Sequence, residues 1–320
     1  MEAFPRGRQF QEGPADEQAP RAVENADRRE RTAENRGATF LEPARLFGIA
    51  HFHYIKIMST FVYASDLHGN VRAYDELFAM NADAVALGGD LLPHPQGAGE
   101  KLIDIQRRFA REYLASKLQT RPCFWLLGND DWETTLSLLE GAGTFIHNRA
   151  VPFLDGFSIA GYSCVPVTPF GMKDFDRFDS DDWTPSPAPA KCFISSSGIL
   201  ETISLNGVRS RGTIAADLER LPELSDPAKT IYVMHSPPYG TALDRLMDGT
   251  PVGSSAVRSF IQKRQPPVTL HGHIHESPGI QRLGRTIIAN PGDSMTRLRA
   301  LVVDLKEMSV TTAPGTPSIL

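Results

Sequence analysis

Five segments of the chain carry side chains that bind metal ions, and each segment directly follows a short apolar run. The segments are Asp66-Leu67-His68-Gly69-Asn70, Gly88-Gly89-Asp90, Gly128-Asn129-Asp130-Asp131, His235-Ser236-Pro237-Pro238 and Gly272-His273-Ile274-His275. Imidazole, carboxylate and amide groups are ligands that manganese, iron and zinc ions accept. In extended backbone, residues two apart point the same way, so both members of Asp66-x-His68 and of His273-x-His275 can face one site. The pattern predicts a metal site.

The apolar runs ahead of these segments are rich in β-branched and aromatic residues, which predicts strands at Phe61–Ala64, Ala84–Leu87, Cys123–Leu127, Ile231–Met234 and Val268–His271. Between them, helical spacing of apolar residues predicts helices at Val71–Met80, Glu100–Leu118 and Trp132–Glu140. Strands that alternate with helices indicate an α/β fold. Because the carboxyl ends of strands in such a sheet lie along one edge, the five polar segments are expected to converge there.

The composition excludes several classes of protein. The chain has 320 residues and a formal charge of −5, and 41% of its residues are hydrophobic. This composition is typical of a folded globular protein. No run approaches the roughly 20 apolar residues of a membrane span, and the mild acidity offers no basic footprint for nucleic acid. Three cysteines without C-x-x-C spacing indicate neither a disulfide framework nor a cysteine zinc site. We therefore expect a cytoplasmic protein with no membrane or nucleic-acid partner, and the oligomeric state stays open.

The first 57 residues differ from the rest in composition. Residues 1–50 contain eight arginines and nine acidic residues but few apolar ones. Burial of so little apolar surface cannot offset the conformational entropy that the segment would lose on folding. We predict a disordered extension at 1–57 and one folded domain at 58–320. Translation starting at Met58 is one hypothesis for the origin of this boundary.

Residues 164–192 interrupt the strand and helix rhythm and predict an inserted loop. The segment mixes prolines with aromatic residues, namely Pro166, Pro169, Phe170, Phe175, Phe178, Trp183, Pro185, Pro187 and Pro189. A flap over the site and a surface loop packed on its own side chains are both open interpretations. Lys173, Asp174 and Arg177 are candidates to contact a phosphate group, with a solvated charged loop as the alternative.

The ordered segments resemble the calcineurin-like metallophosphoesterase family, whose pattern is D-x-H, G-D, G-N-[H/D], H and G-H-x-H. All five blocks occur in this order, and the resemblance covers about residues 59–304. It implies a four-layer α/β/β/α sandwich and two divalent metal ions. The residues that match the family's ligands for one ion are Asp66, His68, Asp90 and His275. Those for the second ion are Asp90, Asn129, His235 and His273, so that Asp90 bridges.

The resemblance implies a metal-dependent hydrolase of phosphate esters. Two divalent ions carry +4 and the carboxylates of Asp66 and Asp90 carry −2, so the site retains +2, which suits an anionic phosphoryl group and a metal-activated hydroxide. Manganese is the expected metal, with iron, zinc or nickel as alternatives, and the expected partner is a small phosphate ester. A phosphomonoesterase for nucleotides or proteins is the alternative enzyme. A non-catalytic scaffold is disfavoured because no ligand position is missing.

The chain departs from the family pattern at residue 130. Many members have histidine after the metal-binding asparagine, where it helps to protonate the leaving group, but here Asp130 follows Asn129. Asp130 can cap a following helix or act as an acid, and both interpretations stay open. Without the histidine we expect a preference for phosphodiesters, and we take Asn129 and Asp130 as the candidate catalytic residues.

Other polar residues near the blocks have structural interpretations. We expect His271 to be buried and hydrogen-bonded rather than a ligand. We expect surface or incidental roles for His51, His53, His94 and His147. Asn70 can cap a helix or support the site, and Asn290-Pro291-Gly292-Asp293 is explained by turn chemistry, with a supporting role at the site as the weaker alternative.

Overall fold

A computed structural model of the protein describes residues 59–94, 101–168, 174–189, 191–196, 198–221 and 225–319. The predicted extension at 1–57, the Met58 boundary, His51 and His53 lie outside these residues. Every element below belongs to the unit Ile55–Leu320.

Sixteen strands are present among the described residues. In chain order they are β1 Thr60–Ala64, β2 Ala84–Gly88, β3 Cys123–Leu126, β4 Thr144–Phe145, β5 Ala150–Pro152, β6 Ser158–Tyr162, β7 Val165–Pro166, β8 Asp176–Arg177, β9 Cys192–Ile194, β10 Glu201–Ile203, β11 Thr230–Met234, β12 Val268–Leu270, β13 Gly279–Leu283, β14 Thr286–Asn290, β15 Leu301–Asp304 and β16 Ser309–Thr312. Each strand predicted ahead of a polar segment is present to within one residue at its ends.

The α-helices are α1 Val71–Ala79, α2 Leu102–Phe109, α3 Ala115–Lys117, α4 Leu205–Ser210, α5 Ile214–Arg220 and α6 Ser255–Arg264. One π-helical turn, Ala110–Leu114, joins α2 to α3. The helix predicted at Trp132–Glu140 is instead a 3-10 helix at Glu133–Leu138. Its sequence, Glu-Thr-Thr-Leu-Ser-Leu, contains two threonines and a serine, which favour α-helix less than straight-chain residues do.

Two six-stranded sheets form the centre of the fold. The first has the order β16-β15-β1-β2-β3-β4, in which β1 to β4 are parallel and β15 and β16 are antiparallel to their neighbours. The second has the order β13-β14-β12-β11-β6-β5, with parallel pairs from β14 to β6 and an antiparallel strand at each end. The parallel strands run to the same edge in each sheet.

The residues of β1 show how the layers pack. Phe61 and Tyr63 lie in a core shared with residues of the second sheet, such as Val233. Val62 belongs instead to a cluster with Leu77 of α1. This alternation buries both faces of the strand, one against the other sheet and one against helices. The outer face of the second sheet is covered in the same way, as the ring pair between β11 and α6 shows. The expected four-layer α/β/β/α architecture is therefore confirmed.

Hydrogen bonds join the two sheets at the edge where the polar segments lie. Tyr63 Oη donates to the carbonyl oxygen of His271 at 2.8 Å. The Nδ1 of His235, after β11, lies 2.8 Å from the carbonyl oxygen of Gly88, at the end of β2. These contacts fix the end of one sheet against the end of the other.

The described part of the inserted loop is packed on its own side chains. Val167, Phe178 and Cys192 form a small cluster with Val208 of α4. Because Phe178 is buried here, the aromatic residues of the described segment serve packing. Pro169, Phe170 and Lys173 lie outside the described residues.

Two buried aspartates fasten the loop to the segments on either side of the sheet edge. Asp174 accepts hydrogen bonds from the backbone of Glu133 and from the backbone and hydroxyl of Ser195. Asp179 accepts from the hydroxyl of Ser254 and from the first backbone N–H groups of α6. The Asp174 carboxylate therefore binds Glu133 and Ser195, outside the loop, rather than a phosphate group. Arg177 is half-buried.

No helix within the described ranges is long and apolar enough to cross a membrane. All three cysteines are buried and form no disulfide.

The first prediction concerns the Asp179 anchor. Replacing Asp179 with Ala should lower the free energy of unfolding by about 1–3 kcal/mol, because the hydroxyl of the buried Ser254 and the first N–H groups of α6 lose their acceptor. Urea unfolding measures this loss. The control is Asp181→Ala, because Asp181 lies two residues away and is exposed, and this change should shift stability by at most about 0.5 kcal/mol. Equal effects of the two substitutions would contradict the anchor.

Candidate metal centre

Four residues of the polar segments have left-handed backbone. Among the described residues, eight residues other than glycine have a positive φ, and they include Asp66 at 55°, His68 at 44°, Asp90 at 51° and His273 at 67°. This conformation is uncommon for residues with a Cβ, although Asp and His adopt it more readily than most. The loops after β1 and β2 hold it in place, since His68 N donates to Asp90 O at 3.0 Å. Local strain is thus concentrated where the polar side chains meet.

Two glycines allow close approach of backbone to the carboxylates. A Cβ on Gly128 would overlap the Asp90 carboxylate, and a Cβ on Gly272 would overlap Asp66 and Ser65. Only glycine leaves room at these positions. The glycines in the sequence blocks therefore shape the site itself.

The first group of side chains comprises Asp66, His68, Asp90 and His275, whose ligand atoms lie within 4.8 Å of one another. The Nε2 of His275 is 3.2 Å from Asp66 Oδ1 and 3.4 Å from His68 Nε2. Two ring nitrogens and carboxylate oxygens thus converge on one point, which is a donor set for a divalent cation. The residues match the first ligand set that the sequence resemblance implied.

The second group comprises Asp90, His235 and His273, again within 4.8 Å. The Nε2 of His235 is 3.2 Å from Asp90 Oδ2. The backbone N–H of Asp130, the neighbour of Asn129, donates to the other oxygen, Asp90 Oδ1, at 2.8 Å. Asp90 therefore belongs to both groups, and the structure brings six of the seven expected ligands together, with Asn129 next to Asp130.

Two buried atoms of the site indicate that a ligand fits there. Asn129 Oδ1 and His68 Nδ1 are buried without a hydrogen-bond partner among the described residues. Buried polar atoms are nearly always paired, and unpaired ones mark sites of function or of a bound ion. With the nitrogen and oxygen donors around them, these residues fit a divalent metal ion.

The charges of the site favour a cation beside the carboxylates. Burial alone would raise the pKa of Asp90, but the nearby His235 holds it well below its usual value. Burial alone would lower the pKa of His235, but the Asp90 carboxylate raises it to about 9. His275 behaves likewise, and its hydrogen bond to Asp66 overcomes burial and raises its pKa to about 9. Two buried carboxylates thus attract positive charge from both sides.

Asp131 supports the site from behind. Its buried carboxylate accepts hydrogen bonds from the backbone N–H groups of Leu91, Leu92 and Gly128, at 2.8–3.0 Å. Burial, reinforced by Asp90, raises the pKa of Asp131 to about 7. The side chain fixes the loop after β2 to the loop after β3. Neither Asp130 nor Asp131 caps the 3-10 helix, because Trp132 is the residue that precedes it and Asp174 accepts the backbone N–H of its first residue, Glu133.

The capping interpretation of Asp130 is therefore wrong, and its side chain faces the site. Asp130 Oδ1 accepts from the amide Nδ2 of Asn129 at 2.9 Å, which orients that amide. Asp130 Oδ2 lies 3.5 Å from His94 Nε2. The ring of His94 lies against that of His68, with centroids 4.6 Å apart. His94 is thus at the centre, although nothing in its sequence context indicated more than an incidental role.

The other histidines separate into two cases. His271 is fully buried and its ring contacts Thr269 Oγ1 and the carbonyl oxygens of Met234 and Ser236, so the expected structural role is confirmed. His147 is half-buried and accepts a hydrogen bond from the backbone of Ser163 at 2.9 Å, which corrects the expectation of a surface or incidental role.

Two asparagines connect the site to the surrounding loops. Asn70 caps α1 by accepting from Ala73 N, and it also donates to Ser294 O at 2.8 Å, so both expected roles are present. Asn290 accepts from Gly292 N within its turn and donates to Ile274 O at 2.9 Å. The turn after β14 therefore also supports the loop that carries His273 and His275.

The model of the calcineurin-like phosphoesterase family matches residues 59–277. The chain belongs to this family. As a calcineurin-like phosphoesterase it is a metal-dependent hydrolase of phosphoric ester bonds. No curated protein matches the sequence.

Several solved structures align with this chain at low sequence identity. One crystal structure aligns with 80% of this chain and 98% of its own, at a TM-score of 0.54 and 16% identity. TT1561 of Thermus thermophilus also aligns with 80% of this chain and 98% of its own, at a TM-score of 0.50 and 18% identity. The phosphoesterase YfcE of E. coli aligns at a TM-score of 0.31 and 15% identity, over 82% of this chain and 100% of its own. The first two support the fold alone.

The second prediction tests the close approach at Gly272. Gly272→Ala should weaken binding of Mn²⁺ by about 10- to 100-fold, because the added methyl group displaces the Asp66 carboxylate. Calorimetric titration of metal-free protein with Mn²⁺ measures the affinity. Gly207→Ala is the matched control, since Gly207 lies in α4 with room for a Cβ. Wild-type affinity in Gly272→Ala would show that Asp66 is not held in this way.

Proposed function

We propose that the protein hydrolyses small phosphodiesters at a centre of two divalent metal ions. In this proposal Asp66, His68, Asp90 and His275 hold one ion. Asp90, Asn129, His235 and His273 hold the other. The observation that carries the proposal is that the buried Asp90 carboxylate belongs to both groups of ligand atoms. Manganese is the metal we propose, with iron, zinc or nickel as alternatives.

When bound, the two ions would supply Lewis-acid stabilisation of the phosphoryl charge and a nucleophilic hydroxide at neutral pH. The chain itself orients the groups around them. The Gly88 carbonyl oxygen fixes the ring of His235, and the Asp130 carboxylate turns the Asn129 amide so that its oxygen faces away from Asp130. Such outer contacts set the direction of each ligand.

The charge of Asp130 weakens the attraction of the centre for a phosphomonoester more than for a phosphodiester. Two divalent ions and the carboxylates of Asp66 and Asp90 leave 4 − 2 = +2, and the Asp130 carboxylate beside Asn129 adds one negative charge at the edge of the centre. A diester carries one negative charge, whereas a monoester dianion carries two. The weaker positive charge therefore attracts the dianion less strongly.

Phosphomonoester hydrolysis is the second candidate, and one observation favours it. His94 lies beside Asp130, so the centre has a histidine although none follows Asn129. A monoester with an alkoxide leaving group gains from such a donor. We also propose a small-molecule rather than nucleic-acid substrate, since the acidic chain has no basic excess, and a cytoplasmic location, which the unpaired cysteines support.

The third prediction concerns the shared ligand. Asp90→Ala should reduce bound metal from two ions per chain to less than one and lower kcat/KM by at least about 100-fold, because both ions lose a ligand. Elemental analysis by mass spectrometry counts the ions, and bis(4-nitrophenyl) phosphate reports turnover. Glu307→Ala removes an exposed acid at the opposite sheet edge and should alter neither value. Full activity of Asp90→Ala would end the two-metal proposal.

The fourth prediction tests the charge argument with one leaving group throughout. Asp130→Asn should raise kcat/KM for 4-nitrophenyl phosphate relative to bis(4-nitrophenyl) phosphate by about fivefold, as about 1 kcal/mol for one unit of charge would do. Both substrates release 4-nitrophenol, so leaving-group effects cancel in the ratio. Glu307→Gln is the charge-matched control. A ratio that stays constant would remove the charge basis for diester preference.

A further inference from the structure

His94 and Asp130 form a pair at the open side of the centre. They come from the loops after β2 and β3, and the Nε2 of His94 lies 3.5 Å from Asp130 Oδ2. Their side chains are 39% and 31% exposed, whereas Asp90 is 2% exposed. The pair therefore lies between the buried ligand atoms and solvent, where part of a bound substrate can reach it.

The proposed ligand sets are complete without His94. In the proposed function each ion would have four protein ligands, and the Asp90 carboxylate belongs to both groups of ligand atoms. His94, His68 and Asp130 are near enough to form a third metal-binding group. However, Asp130 Oδ1 already accepts from the Asn129 amide, and His68 already belongs to the first group. The arrangement resembles a carboxylate that orients an imidazole, as in histidine-dependent acid–base catalysis.

We propose that His94, oriented by Asp130, donates a proton to the leaving-group oxygen of the phosphoester. This inference rests on the proposed phosphoesterase function and deepens it. The family pattern has histidine directly after the metal-binding asparagine. In this chain aspartate occupies that position, and the loop after β2 places His94 beside it. Asp130 is a positioning residue, and His94 is the catalytic residue.

The step balances with water as the only co-reactant. The oxygen of water forms the new bond to phosphorus, and the bond between phosphorus and the leaving oxygen breaks. The leaving oxygen takes the electron pair of that bond and the proton of the His94 imidazole, and departs as an alcohol. A proton released by the attacking water restores the imidazole.

This role predicts a dependence on the leaving group. A poor leaving group needs the proton, whereas an acidic phenol leaves without it, and positioned acid catalysis is worth about 10²- to 10⁴-fold. The test uses methyl phenyl phosphate and methyl 4-nitrophenyl phosphate, which differ only in the acidity of the departing phenol. Both are assayed with the full chain saturated with Mn²⁺.

His94→Gln should lower kcat/KM for the phenyl ester by at least about 100-fold and for the nitrophenyl ester by less than about tenfold. Asp130→Asn should shift the ratio of the two kcat/KM values in the same direction by a smaller factor. Elemental analysis should still find two ions per chain in both variants. The control Glu307→Gln should leave the ratio of the two esters unaltered.

Other results overturn the inference, and they separate it from the proposed function. If His94→Gln lowered kcat/KM equally for both esters, or did not lower it for the phenyl ester, His94 would not act on the leaving group. Loss of bound metal in His94→Gln, or a third ion in the parent protein, would make His94 a metal ligand. Failure of the parent protein to hydrolyse the nitrophenyl ester would instead contradict the proposed phosphodiesterase function.

Discussion

The carboxylate of Asp90 is the group on which both halves of the centre depend. One oxygen accepts the backbone N–H of Asp130, and the other lies 3.2 Å from His235 of the second sheet. The backbone carbonyl oxygen of Asp90 accepts a hydrogen bond from the backbone N–H of His68. A single buried residue thus connects the loops after β1, β2, β3 and β11. An isolated buried charge is costly, so this position persists only because opposite charge lies on several sides.

The rigid sheets hold the strained loops in place. Asp66 and Asp90 have left-handed backbone just after buried parallel strands, and hydrogen bonds between their loops prevent relaxation. Glycines then bring backbone so close that no side chain fits at Gly128 or Gly272. The backbone of the protein itself therefore fixes the positions of the donor atoms. Such preorganisation lowers the cost of assembling the ligands and leaves little freedom for substitution.

Much of this arrangement can be predicted from sequence, because apolar strands that end in polar residues have a local pattern and strand ends share an edge. The five polar segments follow from that rule, and the resemblance to the family selects the seven candidate ligands among them. The position of His94 at the centre does not follow from the rule, because His94 lies outside any strand or helix pattern and only the fold brings it next to Asp130. The 3-10 helix after Trp132 and the role of Asp131 were also missed. Asp131 binds backbone N–H groups some forty residues away. Because every residue except proline has a backbone N–H group, the sequence does not show which ones Asp131 binds.

The adjacent residues Asp130 and Asp131 show why aspartate at position 130 is linked to His94. Asp131 turns inward and holds the backbone of Leu91 and Leu92, directly before the turn that presents His94. Asp130 turns outward and meets the ring of His94 itself. One dipeptide thus fixes both the loop and the side chain that the loop carries. A histidine at position 130 would place a second imidazole next to that of His94 and would remove the carboxylate that orients His94. The residues at positions 94 and 130 therefore act as one acid–base pair whose members come from two loops.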